Sequence, residues 1–278
     1  MNNDNINTPQ QTIPLWKWIL ELILGSIVFA ILYGLGMGLL SAPQPTLKCA
    51  AMLFAGAVIL AMFPLWIKLF EKQWRWDLLS RHAGNNLFCG ISIGFLFFAV
   101  LSGILYAIGC YNAQFASPHW SYILVNLCFY FLVACGEEVI FRGLIFRMID
   151  DRFGLWWALG ISALIFGFAH MINPSASIWS SVAIAIEAGV LLGVAYKYTN
   201  SLWFPIGIHW AWNFTQGNVF GFAVSGGDTE ESILTATLSG PDIITGGTFG
   251  PEASIIALLL GSILSAFFLW KILKSEQR

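Results

Sequence analysis

The sequence predicts an all-α membrane protein, a bundle of about eight transmembrane helices with both termini in the cytoplasm. Three observations predict it. Of 278 residues, 58% are hydrophobic and only 10% charged, where soluble domains carry about 25% charged residues. Apolar runs of at least about 17 residues, enough to cross the hydrocarbon layer, recur along the chain. Basic residues fall on one side of the resulting serpentine, as cytoplasmic loops require.

The runs are drawn at 15–40, 47–70, 87–110, 120–149, 154–171, 178–198, 201–216 and 252–273. Met1 to Thr12 is polar and almost uncharged, and the run from Leu15 is too long for a signal peptide and lacks a cleavage site. It therefore reads as a first membrane helix. With the N-terminus inside, one side collects Lys17, Lys68, Lys72, Arg75, Arg81, Arg142, Arg147, Arg152, Lys197, Lys271, Lys274 and Arg278, and the other only Lys48. That distribution expects a multi-pass protein of the cell (inner) membrane. The basic stretch from Lys68 to Arg81, with Trp74 and Trp76, reads as an interface anchor, and no basic stripe of the nucleic-acid-binding kind stands out.

Glycines at four-residue spacing, Gly34 with Gly38, Gly90 with Gly94 and Gly189 with Gly193, suit close helix packing in lipid. The cysteines Cys49, Cys89, Cys110, Cys128 and Cys135 lack metal or redox spacing and read as buried residues. Residues 217–252 contain no Lys or Arg but carry Asp228, Glu230, Glu231, Asp242 and Glu252. This is expected to be a long outer loop, and its apolar islands at 218–224 and 233–238 suggest that it folds back onto the bundle.

The fourth run holds Glu137, Glu138 and Arg142 where lipid is expected. Each charge at a helix centre costs roughly 2.5–3.5 kcal/mol, against about 0.3–0.6 returned per Leu or Phe. Some of these groups must be paired, protonated or facing water. In a helix Glu138 and Arg142 are i,i+4 on one face, while Glu137 is rotated about 100° and points elsewhere. The expectation is one carboxylate held by the arginine and the other left for chemistry.

His170 closes the fifth run, and His209 with Asn213 shares a face of the seventh. Counted from the turn at residues 151–154, Glu137 and His170 both lie roughly 21–24 Å into the layer, so they can face each other. A carboxylate and an imidazole can deprotonate a water, and an imidazole with a carboxamide can stabilise an oxyanion. Glu137, His170 and His209 could equally hold a divalent metal such as zinc. The spacing is not HExxH, so a metal is permitted rather than indicated. Buried Glu and His also build proton relays, which leaves a proton- or ion-coupled transporter as an alternative. Against it, no inverted repeat is visible. Glu187, an additional acid in the sixth run, has no assigned role.

Glu137-Glu138-x-x-x-Arg142, Phe166-x-x-x-His170 and His209-x-x-x-Asn213, in that order in a polytopic chain, resemble the CAAX prenyl protease and bacteriocin-processing family of intramembrane proteases. Tyr196 to His209 and Leu238 to Glu252 also look like its bacterial members, whereas Tyr198-Thr-Asn200 departs from the arginine and glycine of many relatives. The resemblance implies a protease core over 120–273, preceded by about three helices in 1–119. It implies that Glu137 and His170 activate water, that Glu138 and Arg142 orient and balance them, and that His209 and Asn213 stabilise the oxyanion. The implied substrate is a peptide or membrane protein presented at the bilayer. A non-catalytic bacteriocin-immunity protein with the same fold is the remaining alternative.

Overall fold

The structure, a computed structural model, describes residues 13–72, 77–78, 80–229 and 231–277. The expected interface anchors Trp74, Arg75 and Trp76, the segment Met1 to Thr12, Glu230 and Arg278 lie outside the described residues. Among those described, seven helices are long and apolar enough to cross a membrane.

The chain opens with α1 (Leu15–Gly38), α2 (Pro45–Trp66) and α3 (Ala83–Ala107). Pro45 occupies the first turn of α2, where its missing N–H costs nothing. Next, α4 (Trp120–Glu138) runs through a π-helical stretch, Val139–Phe146, into α5 (Arg147–Phe153) as one rod. Gly154, at φ 88°, breaks that rod and starts α6 (Leu155–Ala169). The sixth rod joins α7 (Ile178–Ile184), a π stretch at Ala185–Val190 and α8 (Leu191–Thr199), ending at left-handed Asn200. After α9 (Trp203–Phe214) and the one-turn α10 (Asp242–Thr245), the chain closes with α11 (Ile255–Glu276), capped by the Ser254 hydroxyl.

Burial separates the rods into two groups. Only 22% and 28% of the most apolar windows of α1 and α11 are buried, whereas the Trp120–Phe153 and Ile178–Thr199 windows are 61% and 72% buried. The first pair turns leucines and isoleucines outward, as lipid contact requires, and the second pair forms the centre.

The expected span at 201–216 is shorter than the other seven. It is α9, twelve residues continued by a π turn at Thr215–Val219, and it falls short of the length that defines the other spans. The reason is burial: Phe204, Ile206, Ile208, His209, Trp212 and Asn213 are all enclosed by protein. A helix that never meets lipid need not match its thickness.

What fixes α9 is a backbone seam with α3. A Cβ on Gly207 would meet the Leu87 carbonyl oxygen at 2.5 Å and Gly90 Cα at 3.1 Å, and one on Gly94 would clash with the Ile208 carbonyl. The expected packing role of Gly90 and Gly94 is therefore met. That of Gly34 and Gly38 is not, because nothing lies within 4 Å of either position. Cys89 is likewise exposed rather than buried.

Residues 217–252 do fold back. The second apolar island contains β2 (Leu234–Leu238), which pairs antiparallel with β1 (Tyr111–Phe115) between α3 and α4, Ala113 opposite Ala236. In the first island Phe222 is fully buried, and the Phe220 carbonyl accepts from Tyr111 Oη at 2.9 Å. The Trp179 indole donates to the Ala253 carbonyl at 2.7 Å, tying the end of this segment to α7.

Candidate functional site

The π stretch after α4 carries Arg142 into the centre of the bundle, where both Arg142 and Glu138 are wholly buried. Arg142 Nη1 donates to Glu138 Oε1 at 3.0 Å, the i,i+4 pair the sequence suggests. Its Nη2 reaches the Ala188 and Gly189 carbonyls of the Ile178–Thr199 rod at 3.3 and 3.2 Å. Those carbonyls lie in or beside a second π stretch, where widened turns leave backbone acceptors less fully used. The guanidinium also sits 4.3 Å from the centre of the Phe166 ring on α6. One cation thus links three rods and neutralises a carboxylate that lipid would reject.

Glu138 has a second partner. His209 Nδ1 lies 2.8 Å from the same Oε1, so the carboxylate that balances Arg142 also fixes the orientation of the imidazole. The opposite ring nitrogen, Nε2, faces Glu137 Oε2 at 4.0 Å. Glu137 Oε1 accepts from Tyr33 Oη of α1 at 3.4 Å, while the buried Oε2 has no hydrogen-bond partner. Tyr33 comes this close because residue 136 is glycine: a Cβ there would meet Tyr33 Cδ2 at 2.5 Å. Nothing in the sequence marks Tyr33, an aromatic residue in an apolar run.

Beside this network lies a small, partly open cavity whose lining includes Phe166, His170, His209, Trp212, Asn213 and Glu252. His170 Nδ1 is engaged with the Phe166 carbonyl at 2.8 Å, which leaves Nε2 as its free end. His170, His209 and Asn213 are therefore gathered on one cavity. Glu137 is not part of its wall, and no hydrogen bond or ion pair joins Glu137 to His170 among the described residues. Glu137 stands nearer His209 than the depth count from the 151–154 turn implies.

Sequence reasoning left Glu252 among the acids of a loop. It is 1% exposed. The Ser225 N–H donates to Oε1, Trp212 Nε1 donates to Oε2 at 3.4 Å, and Gln216 adds a further donor. Burial pushes its carboxyl up to about 7. The available signal was its position at the very start of the last apolar run, where the loop returns to the bundle.

The metal permitted at Glu137, His170 and His209 does not fit this arrangement. Among the described residues no three His, Cys, Asp or Glu side chains come close enough to share an ion.

Seven apolar spans enclosing a buried acid, imidazole and guanidinium network define an integral, multi-pass membrane protein with a polar site inside the bundle. Residues 118–215 match the family described as Type II CAAX prenyl endopeptidase Rce1-like. The resemblance read from the three motifs is borne out over that stretch, which holds Glu137, Glu138, Arg142, His170, His209 and Asn213. The match supports an intramembrane CAAX-type protease fold. A search of curated proteins returned no match.

Proposed function

We propose that this protein is an intramembrane endopeptidase that hydrolyses a peptide bond of a membrane-presented substrate. The observation that carries the reading is the unpartnered, buried Oε2 of Glu137 facing His209 Nε2 at 4.0 Å. Two groups at that separation can share one water, each at a normal hydrogen-bond length of about 2.8 Å. Glu137 takes a proton from that water as it attacks the carbonyl carbon and returns it to the leaving amine as the C–N bond breaks. With Nδ1 committed to Glu138, His209 donates from Nε2 to the oxyanion only as the imidazolium, a form flanked by Glu137 and Glu138. Asn213, one turn further along α9, offers its carboxamide to the same oxyanion, and His170 faces the substrate from α6 through its free Nε2.

Glu138 and Arg142 position His209 and keep the charge count tolerable. They do not react. In this reading residues 120–273 form the protease core, 1–119 supply flanking helices, and both termini face the cytoplasm of the cell membrane. Peptide hydrolysis by purified protein in H₂¹⁸O tests it: one ¹⁸O atom enters the new carboxylate, and Glu137→Ala and His170→Ala each abolish cleavage in folded protein. Cleavage retained in both variants would refute it.

A further inference from the structure

Three other enclosed or half-buried carboxylates have cations. Glu138 has Arg142, Glu71 has Arg147 at 2.6 Å, and Asp150 has Lys197 at 2.6 Å. Glu252 departs from this pattern. Its donors are the Ser225 amide, the Trp212 indole and the Gln216 carboxamide, all neutral, and among the described residues no Lys or Arg pairs with it.

A second acid lies in the Ile178–Thr199 rod. Glu187 is completely buried, and neither of its oxygens has a hydrogen-bond partner. Its helix contributes Ile184 and Ala188 to the cavity wall that Glu252 also lines. Glu252 thus lines the cavity as a carboxylate without a counter-charge, an arrangement that a cation entering the cavity would relieve.

The geometry is built to hold Glu252 in place. Ser225, which supplies the amide, sits at φ 50°, a costly left-handed backbone for a residue with a side chain. The next residue, Gly226, donates its N–H to the Phe249 carbonyl at 2.8 Å, so the turn is fastened to the segment that leads into Glu252. The wall that Glu252 and the histidines share also has apolar members, Phe166, Leu192, Ile208 and Trp212. A long aliphatic stem ending in a positive charge matches both parts of such a wall.

Resting on the protease reading above, we propose that Glu252 is the specificity-determining residue of a substrate subsite that takes a lysine or arginine side chain next to the bond to be cut. The substrate class is then a peptide or membrane-protein segment with a basic residue near its cleavage point. The catalytic histidines and Glu252 share one cavity, so the basic residue lies within a position or two of the scissile bond.

The test uses the purified full-length protein in detergent and a mixture-based library of acetylated peptides, with cleavage sites read by mass spectrometry. Matched peptides carrying arginine or its neutral isostere citrulline at each position then give kcat/KM. The expected result is a preference for arginine at one position of about 100-fold, the discrimination of a buried charge pair. In Glu252→Gln that ratio falls below about fivefold. A wild-type library profile with no basic preference overturns the inference while leaving the protease reading standing, and it decides the matter even if the variant fails to fold. A preference that survives intact in folded Glu252→Gln also overturns it. A wild-type protein that cuts no peptide refutes the protease reading, and this inference with it.

Discussion

Replacing Arg142 by Met removes the cation that links the three central rods. The side chain is wholly buried, and its loss leaves Glu138 charged without its guanidinium and frees the Ala188 and Gly189 carbonyls. Breaking one half of a buried ion pair costs about 3–5 kcal/mol. For a chain of this size each kcal/mol shifts Tm by roughly 2–4 °C, so Arg142→Met is expected to lower Tm by roughly 6–20 °C in detergent. Differential scanning fluorimetry with size-exclusion profiles reads the change. The double variant Glu138→Gln/Arg142→Met removes the orphaned charge as well and is expected to recover about half of the loss. A drop of under about 2 °C in the single variant, or no recovery in the double, would refute the argument that this pair holds the bundle centre together.

Three further outcomes follow from the same geometry. Gly207→Val drives a side chain into the Leu87 carbonyl and Gly90 and should cost about 3 kcal/mol or more along with activity, while Gly103→Val, whose Cβ position meets nothing within 4 Å, should change Tm by about 1 °C at most. Glu252 is raised to about 7 from an ordinary value of 4.5, so the folded protein binds more protons than the unfolded chain between those pH values. Stability should fall by up to about 3 kcal/mol as pH rises through that window, and Glu252→Gln should flatten the Tm-against-pH curve there. Peptide cleavage should survive EDTA or phenanthroline treatment, with metal analysis of the active protein returning well under one ion per chain, because no three donors converge.

Much of the scaffold was legible because lipid tolerates so little. Seven long apolar runs could be drawn from hydropathy alone, and α9 was drawn as a short span without a sign that protein encloses it. The Glu138–Arg142 pair was readable because i,i+4 neighbours meet on any helix. The Glu138–His209 bond was not, since it joins residues 71 positions apart through tertiary packing. Glycine spacing found the α3 seam and also flagged Gly34 and Gly38, where the same spacing faces open space. Five-residue strands paired across more than a hundred residues left no periodic trace, and with them went the return path that carries Glu252 to the cavity. Tyr33 acquires meaning only because Gly136 lets it lie beside Glu137.

The single-turnover rate of peptide cleavage by Glu137→Gln, set beside wild type at equal folded fraction, tests the central claim most directly. Removing the charge of this carboxylate while keeping its shape should slow cleavage by about 10³-fold or more, with Tm unchanged within about 2 °C. A rate within tenfold of wild type would contradict the assignment of water activation to Glu137.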